Sequence, residues 1–345
     1  MGIVKRQSLQ NTIISYLGLT IGYLNFIWLF PNYFAPEHFG LIQLLVAISE
    51  ILSQFSLIGI NSTIIKFFPF FKDKEKKHHG ILFFSFIVAL IGMLIVSGLF
   101  IVFKPMILES FAKDSTLIAD YYIYIFPLTF FLLFYEVLNA YSRALLKSVV
   151  PNFITEILRK AYVFIIILIF SLGQISLGSF LQLFVIGYAL LPLGITLYLM
   201  YIKQFDLKPR MSPELKSKIG EMMKYGSYAL LGTSAAILVG KVDIIMVAGK
   251  VGLDYTAYYS VAFLIGVTIH IPARAIAITS IPLISNAWKN NNLGDINSLY
   301  KKSAMNQMII GILLFTLVWT NVDSIMDILP DKYAGAKFVI LYIGL

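Results

Sequence analysis

Long apolar runs dominate the pattern of hydrophobic and polar positions along the chain. Nine windows of roughly twenty residues are apolar almost throughout, and Pro, Asn, Gly or charged residues separate them. Because about 20 apolar residues are needed to cross a bilayer as a helix, the pattern predicts an all-α polytopic membrane protein with about nine complete spans. The windows are residues 11–30, 40–60, 80–103, 118–141, 153–172, 180–201, 227–248, 255–284 and 304–320.

A tenth apolar run begins near Ala336 and continues to Leu345. About ten residues rise only ~15 Å in a helix, which is half of a bilayer. We therefore expect a truncated tenth span and a chain that is part of a longer membrane protein. A short re-entrant or interfacial helix remains the alternative.

The composition agrees with this prediction. Hydrophobic residues make up 59% of the chain and charged residues only 13%, with a mean hydropathy of +0.83. Soluble globular chains are nearer 25% charged, so an ordinary soluble enzyme, a disordered chain and a nucleic-acid-binding domain are excluded. The absence of Cys from the sequence excludes disulfides, thiolate metal sites and Cys nucleophiles.

The basic residues are distributed unevenly between the two sides of the predicted membrane. Twenty of the 27 Lys and Arg residues lie in or beside one set of alternate loops, five lie in the other set, and two lie within spans. Cytoplasmic loops carry an excess of Lys and Arg, so the N-terminus is predicted to be cytoplasmic. The net charge of +9 therefore reflects topology, and no nucleic-acid partner is expected.

Several polar and charged residues lie within the predicted spans. A charged side chain at mid-bilayer costs about 2.5–3.5 kcal/mol on insertion scales, so such residues are expected to face a protein interior or a wet cavity. Helical spacing places several of them on common faces, which favours a polar central cavity. Hydrogen bonds between helices remain the structural alternative. The residues on common faces are Gln43, Glu50 and Gln54 in the second span, Glu136, Asn139 and Arg143 in the fourth, and Asn152, Glu156 and Arg159 in the fifth.

Four further positions qualify this prediction. Lys241 and Asp243 in the seventh span point about 200° apart on a helix, so both cannot face one cavity squarely. Asn25 lies on one stripe with two glycines in the first span, and Lys160 is expected to extend to the inner membrane interface.

No motif for enzymatic chemistry is present. The sequence contains no phosphate-binding G-x-x-x-x-G-K-[ST] loop, no H-E-x-x-H zinc motif and no Ser nucleophile elbow. The predicted loops are too short for an extramembrane active site. The sequence therefore predicts neither an enzyme, nor a cofactor, nor a metal site.

A weak internal repeat appears when the sequence is shifted by 217 residues, which aligns the first and second spans with the seventh and eighth. A repeat of six spans in one orientation is a known transporter arrangement. We therefore predict an N-terminal six-helix lobe at 1–203, a basic cytoplasmic linker at 204–224 and the first part of a C-terminal lobe at 225–345.

Several short runs resemble a known family. With the basic N-terminus, they resemble the polysaccharide (O-antigen type) exporters of the multidrug/oligosaccharidyl-lipid/polysaccharide superfamily, over essentially the whole chain. The opening of the eighth span, Tyr255-Thr256-Ala257-Tyr258, departs from the usual Gly-Tyr. The runs are Phe39-Gly40, Gly59-Ile60-Asn61, Tyr225-Gly226, Lys241-Val242-Asp243-Ile244-Ile245-Met246, Ala257-Tyr258-Tyr259, Ile271-Pro272 and Ile281-Pro282-Leu283-Ile284-Ser285.

The resemblance implies a MATE-like two-lobe bundle that works by alternating access in the bacterial cytoplasmic membrane. It implies export of an undecaprenyl-pyrophosphate-linked oligosaccharide for surface polysaccharide biosynthesis. Relatives hold the pyrophosphate with cations in the first, second and eighth spans. Arg274 matches the eighth-span cation in kind, whereas Asn25 and Glu50 stand where Arg is expected in the first two spans.

The resemblance and the buried polar faces together give the candidate residues. The implied partners are the lipid-linked substrate, membrane lipids, H⁺ or Na⁺ for coupling, and a polysaccharide polymerase or glycosyltransferase. The candidates for the pyrophosphate and glycan cavity are Arg274, Lys241, Arg143, Asn25, Gln54 and Asn139, and those for ion coupling are Glu50, Glu136, Asp243 and His270.

Three other functions stay open at this stage. A cation-coupled multidrug antiporter of the MATE type would share the fold and would use the buried acids against cationic drugs. A flippase for the peptidoglycan precursor is disfavoured by the missing Arg in the first two spans. A membrane-embedded transferase or ligase would be distinguished by sugar transfer in vitro.

Overall fold

The computed structural model describes residues 2–111, 115–270, 284 and 292–344. Within these ranges the secondary structure is helical, with short turns between the helices. The helices are α1 (Gly2–Tyr23, continued by the π-helical turn Leu24–Leu29 and by Phe30–Tyr33), α2 (Pro36–Ser56), α3 (Ile60–Phe67), α4 (Ile81–Val102), α5 (Lys104–Glu109), α6 (Ser115–Tyr121), α7 (Ile125–Ala144), α8 (Val149–Phe153, the π-helical turn Ile154–Leu158 and Arg159–Ser171), α9 (Leu177–Tyr201), α10 (Pro213–Lys250), α11 (Leu253–Val267), α12 (Leu293–Thr320), α13 (Val322–Ile328) and α14 (Ala336–Gly344).

Seven helices in the described ranges are long and apolar enough to cross a membrane. They correspond to the predicted first, second, third, fourth, sixth, seventh and ninth spans. The predicted fifth span is α8, an unbroken helical stretch whose first half carries charged residues. The predicted eighth span begins with α11 and then extends beyond the described residues, so the total of nine stays a prediction.

Local sequence signals explain where the long helices begin. Pro36 occupies the first turn of α2, where its missing N–H is not needed. Ser212 caps α10 by accepting a hydrogen bond from the N–H of Leu215 at 3.2 Å, and Ser176 caps α9 in the same way. Because Ser212 begins a helix that runs unbroken to Lys250, much of the segment predicted as a linker is a helical extension of the seventh span.

The helix α2 is the central element of the first compact unit, which comprises Met1–Thr256. It is the most buried of the candidate spans, and it packs against α4, α7 and α10. Glycines allow its ends to approach neighbouring backbone closely. A Cβ on Gly40 would overlap the carbonyl oxygen of Leu253, and a Cβ on Gly59 would overlap that of Gly226.

An aromatic cluster joins α1, α2, α8 and α9 at one end of this unit. The rings of Phe30 and Phe39 are stacked with centroids 4.6 Å apart, and those of Phe34 and Phe170 are stacked at 4.2 Å. Phe180 of α9 contacts both Phe30 and Phe34 edge-on. Such pairs add to the free energy gained from apolar burial, so the cluster fixes the four helices where α1 turns into α2.

A left-handed turn, Lys77–Gly80, precedes α4, and we refer to it as the histidine turn. Its four residues all have positive φ, from 52° at Lys77 and His78 to 81° at Gly80. A non-glycine residue in this conformation costs about 1–2 kcal/mol, so neighbouring contacts must stabilise the turn. The buried ring of His78 supplies two of them, because Nδ1 accepts from the N–H of Asp73 at 3.2 Å and Nε2 lies 2.7 Å from Gln204 Oε1.

The histidine turn binds the segment between α9 and α10. His79 Nδ1 lies 2.9 Å from Ser212 Oγ, and the N–H of Ser212 donates to the carbonyl of His79 at 3.2 Å. A Cβ on Gly80 would overlap the carbonyl oxygen of Arg210. Nearby, the N–H groups of Lys76 and Glu75 donate to Asp73 Oδ1 and lower the pKa of that carboxyl.

The second compact unit comprises Ala257–Leu345. Within it, Lys337 of α14 forms an ion pair with Asp323 of α13, and the rings of Tyr258 and Tyr333 meet edge-on at 5.1 Å. The division between the two units falls within α11, whereas the predicted lobes of 1–203 and 225–345 are defined by the sequence repeat and stay a prediction.

Candidate functional site

A run of three adjoining polar cavities crosses the first unit, and we name each after one candidate residue. The Lys241 cavity, of about 640 Å³, lies among α1, α2, α8, α9 and α10. The Glu136 cavity, of about 740 Å³, shares Glu50, Arg159 and Tyr188 with it. The Arg143 cavity, of about 560 Å³, shares Tyr135 with the Glu136 cavity. The helices that the polar faces predicted therefore do enclose polar space.

The Lys241 cavity contains an ion pair between two helices. Lys241 Nζ of α10 lies 2.8 Å from Glu50 Oε2 of α2, and both side chains are about one-third exposed. One turn from Glu50, Gln54 Nε2 donates to Thr233 Oγ1 of α10 at 2.7 Å. The two contacts link α2 and α10 by polar groups in the middle of their apolar surfaces.

A second ion pair lies within α8, on the side that packs against α1. Lys160 Nζ lies 2.7 Å from Glu156 Oε2 and donates to the carbonyl of Gly18 at 3.0 Å. The expectation that Lys160 extends to the membrane interface is therefore wrong. Its partners are inside the bundle because Gly18 and Gly22 have no side chain, which leaves room for Glu156 and Lys160 against α1.

Asn25 lies in the π-helical turn of α1, which packs against the Arg159–Ser171 part of α8. Its Nδ2 donates to the carbonyl of Lys160 at 3.0 Å, and its buried Oδ1 has no hydrogen-bond partner within the described part of the chain. Such π-helical turns inside α-helices are frequent at functional sites. Here the turn in α1 places Asn25 on the wall of the Lys241 cavity.

Arg159 is the principal site residue that the sequence reasoning did not select. Its side chain lines both the Lys241 and the Glu136 cavities, and its guanidinium lies 5.1 Å from the centre of the Tyr188 ring. Over the described ranges, no carboxylate lies within 4 Å of Arg159, and its buried Nε has no hydrogen-bond partner. The signal that could have identified it was its shared face with Asn152 and Glu156.

The remaining acids differ in their surroundings. Glu136 lines the cavity named after it, and Arg143 and Glu50 are the charged groups that interact with it electrostatically. Asp243 is exposed and lines none of the three cavities, so Lys241 is the one of the two that faces a cavity; the angle between them had predicted only that both could not. Asn139 and Arg143 line the Arg143 cavity, with Asn11, Ser148 and Asn152.

The side chains of two predicted site residues are not described by the structure. Arg274 lies outside the described residues, and of His270 the structure describes only the backbone, which ends a short 3₁₀ turn. Within the described ranges, no three His, Asp or Glu side chains are arranged to hold a metal ion.

The charges on the cavity walls favour an anion. Four basic side chains and two carboxylates line the three cavities, and Glu156 pairs with Lys160 from behind. A planar guanidinium can bind two oxygens of a phosphate at once. The basic residues are Arg143, Arg159, Lys160 and Lys241, and the acids are Glu50 and Glu136.

Comparisons with known proteins were made for the sequence and for the fold. The sequence profile of a family described as "Polysaccharide biosynthesis protein" matches residues 8–288. No curated protein sequence matches the chain.

One solved structure is similar over 95% of this chain and 75% of its own, with a TM-score of 0.68 and 14% identity. It is described as the inward-facing conformation of a multidrug resistance MATE family transporter of the MOP superfamily. The prediction of an all-α, multi-pass membrane protein with a MATE-like fold is therefore confirmed.

Proposed function

Because the chain belongs to the polysaccharide biosynthesis protein family, we propose that it exports an undecaprenyl-pyrophosphate-linked oligosaccharide across the bacterial cytoplasmic membrane. The family resemblance inferred from the sequence is confirmed. The identity of the substrate, the direction of transport and the residues that bind the substrate are our inference.

The observation that carries the proposal is Arg159 on the wall between two polar cavities. A cation inside a membrane bundle is costly unless something compensates it. Within the described ranges Arg159 has no carboxylate partner, while Lys241 and Lys160 are each paired with one. A diphosphate would supply the missing negative charge, and the hydroxyl groups of a glycan would find amide partners at Gln43, Gln54 and Asn25.

The proposed mechanism separates the two ends of the substrate. The charged headgroup cannot cross hydrocarbon unaided, so it travels through the polar cavities while the prenyl tail remains in lipid. The predicted lobes 1–203 and 225–345 would alternate between inward-open and outward-open states. Arg274 would join Arg159 and Lys241 in holding the pyrophosphate. A polysaccharide polymerase or glycosyltransferase would act on either side of this step.

The acids provide a means of coupling transport to an ion gradient. When a phosphate draws Lys241 away, Glu50 loses its partner and becomes the natural site for H⁺ or Na⁺. A ligand shifts a two-state equilibrium only by its differential affinity for the two states. Glu136, Asp243 and His270 remain further candidates for this role.

The test is the flipping of a defined undecaprenyl-pyrophosphate glycan by the purified chain in liposomes. We expect the Arg159→Gln and Lys241→Gln variants to flip at least tenfold more slowly, because loss of one charge-assisted contact costs about 1.5–3 kcal/mol. Lys302→Gln, at an exposed position on α12, is the control and should flip normally. Wild-type rates in both cavity variants would overturn the proposal.

In cells, Arg274→Ala should abolish surface polysaccharide export while the protein still accumulates in the membrane. This variant tests the part of the site that lies outside the described residues. Normal export by it would contradict the proposed function.

A cation-coupled multidrug antiporter is the second candidate. The similar solved structure is a multidrug transporter, and Glu50 and Glu136 could bind a cationic drug. Proton- or sodium-driven drug uptake into the same liposomes, without glycan flipping, would favour this function. In that case Glu136→Gln, rather than Arg159→Gln, should abolish transport.

A further inference from the structure

An apolar groove on the first unit is separate from the three polar cavities. It has a volume of about 660 Å³ and lies between α4, α7 and α9. Of the residues described along it, Thr196 alone is polar, and it shares no residue with the polar cavities. Its walls include Phe86, Phe130, Phe131, Phe134, Pro192 and Leu193.

The aromatic walls leave the groove partly open. The Phe86 and Phe130 rings both pack on Phe134, with centroids 4.8 and 4.6 Å apart. Nevertheless Phe130 is 39% exposed and Leu193 is 58% exposed. Both lie in helices long and apolar enough to cross the membrane, so the open groove is suited to hold hydrocarbon.

The segment between α9 and α10 closes one end of the groove. This segment has no regular secondary structure over residues 204–208, and Phe205 and Leu207 line the groove. The intervening Asp206 accepts the N–H of Lys208 at 2.9 Å. Gln204 fixes the segment, because its side chain meets His78 at 2.7 Å and its carbonyl accepts from the Tyr141 hydroxyl at 3.0 Å.

The same segment gives this end of the groove a positive charge. Lys203, Lys208 and Arg210 are exposed, and Asp206 is the one acid among them. The positive-inside distribution places this end at the cytoplasmic surface. Basic pockets between spans at that surface favour anionic lipid headgroups.

We propose that the groove binds one acyl chain of an anionic phospholipid, whose phosphate contacts Lys203 and Lys208. The apolar walls would accept any chain, and the lysines give the preference for the headgroup. Each basic residue near a membrane surface contributes about 1 kcal/mol of attraction, which is about fivefold in affinity. Two lysines therefore predict a preference of tenfold or more for an anionic over a zwitterionic lipid.

The experiment uses tryptophan fluorescence of the full chain in detergent. Trp28, Trp288 and Trp319 are replaced by Phe, and Phe131→Trp places the single probe on the groove wall. Lipids with brominated acyl chains quench a tryptophan that they contact. We expect brominated phosphatidylglycerol to half-quench the probe at a concentration at least tenfold lower than brominated phosphatidylcholine.

Two charge variants test the role of the lysines. Lys203→Gln/Lys208→Gln should abolish the preference for phosphatidylglycerol. Lys301→Gln/Lys302→Gln removes the same amount of charge from exposed positions of α12. This variant should keep the preference for phosphatidylglycerol. Two results would overturn the proposal: half-quenching at equal concentrations of the two lipids, or a preference for phosphatidylglycerol that survives in Lys203→Gln/Lys208→Gln. Either would mean that the quenching comes from lipid that surrounds the protein without specific binding.

A third variant tests where the lipid lies. Thr196→Phe fills the groove and should weaken quenching by both lipids, whereas unchanged quenching would place the lipid elsewhere. Gel filtration and circular dichroism establish that each variant is folded, and Phe130→Trp is the replacement probe if Phe131→Trp is not. An undecaprenyl phosphate that competes better than phosphatidylglycerol would identify the substrate tail as occupant and contradict the proposal.

Discussion

At the scale of single residues, the Glu50–Lys241 pair is the clearest link between two helices. Each single replacement, Glu50→Gln or Lys241→Met, leaves one charge without its partner, at a cost of about 1–3 kcal/mol in the free energy of unfolding. The double variant should lose less than the sum of the two single losses. Thermal unfolding in detergent measures the difference.

An exposed pair on α10 provides the control for this cycle. Lys218 and Glu221 lie 3.5 Å apart at i,i+3, and exposed pairs of this kind contribute about 0.3–0.5 kcal/mol. The coupling free energy of Glu50 and Lys241 is the difference between the sum of the two single losses and the loss in the double variant. A coupling free energy no greater than that of Lys218 and Glu221 would mean that the cavity pair adds nothing to stability beyond an exposed pair.

The close contact of Gly18 with α8 gives a second prediction at this scale. A Cβ on Gly18 would lie 2.6 Å from the Cβ of Glu156, so Gly18→Ala should lower the free energy of unfolding by about 1–3 kcal/mol. Gly98 in α4 has nothing within 4 Å of such a Cβ. Gly98→Ala should be neutral or slightly stabilising, and equal effects of the two substitutions in thermal unfolding would contradict the packing argument.

The sequence predicted these residues unequally. Helical spacing was enough to place Glu50, Gln54 and Glu136 on cavity walls, because it fixes which side chains share a face. The same spacing put Arg159 on one face with Asn152 and Glu156, but it could not place Lys160, whose position depends on how closely α1 approaches α8. That approach results from Gly18 and Gly22 acting together with two π-helical turns, and hydrophobic periodicity does not reveal such turns.

At the scale of elements, the histidine turn stabilises the segment between α9 and α10. Gly80→Ala would put a methyl group against the carbonyl of Arg210 at a position whose φ is already +81°. We expect the segment to detach and trypsin to cleave faster after Lys203 and Arg210. Limited proteolysis followed by mass spectrometry measures this.

Gly173 provides the matched control for the turn. It has a similar φ of +70°, and nothing lies within 4 Å of an added Cβ. Gly173→Ala therefore introduces the same backbone strain without the contact, and cleavage after Lys203 and Arg210 should stay slow. Faster cleavage in both variants would mean that strain, rather than contact with Arg210, controls the segment.

The elements themselves were predicted well where apolar runs were long and uninterrupted. The helices α2, α4, α7 and α9 lie close to their predicted windows. The helix α10 was predicted too short, because Pro213 and the charged residues after it were interpreted as a loop. Ser212 and Pro213 together form a helix start. At that point the capping residues therefore predict the helix boundary better than the charged residues do.

At the scale of the whole molecule, the orientation of the chain can be tested because the sequence has no Cys. Gln174 and Lys74 are exposed residues on opposite sides of the predicted membrane. In intact cells, a membrane-impermeant maleimide should label Gln174→Cys but not Lys74→Cys, and both should react after lysis. The parent chain gives the background, and the reverse labelling would place the N-terminus outside.

The adjoining cavities also have an electrical consequence. A membrane sustains its voltage across the layer that excludes water, and one elementary charge moved through 100 mV changes in energy by about 2.3 kcal/mol. Once water fills the cavities between Arg143 and Lys241, this part of the path lies at nearly one potential. The voltage dependence of transport should then arise from charge movement outside these cavities.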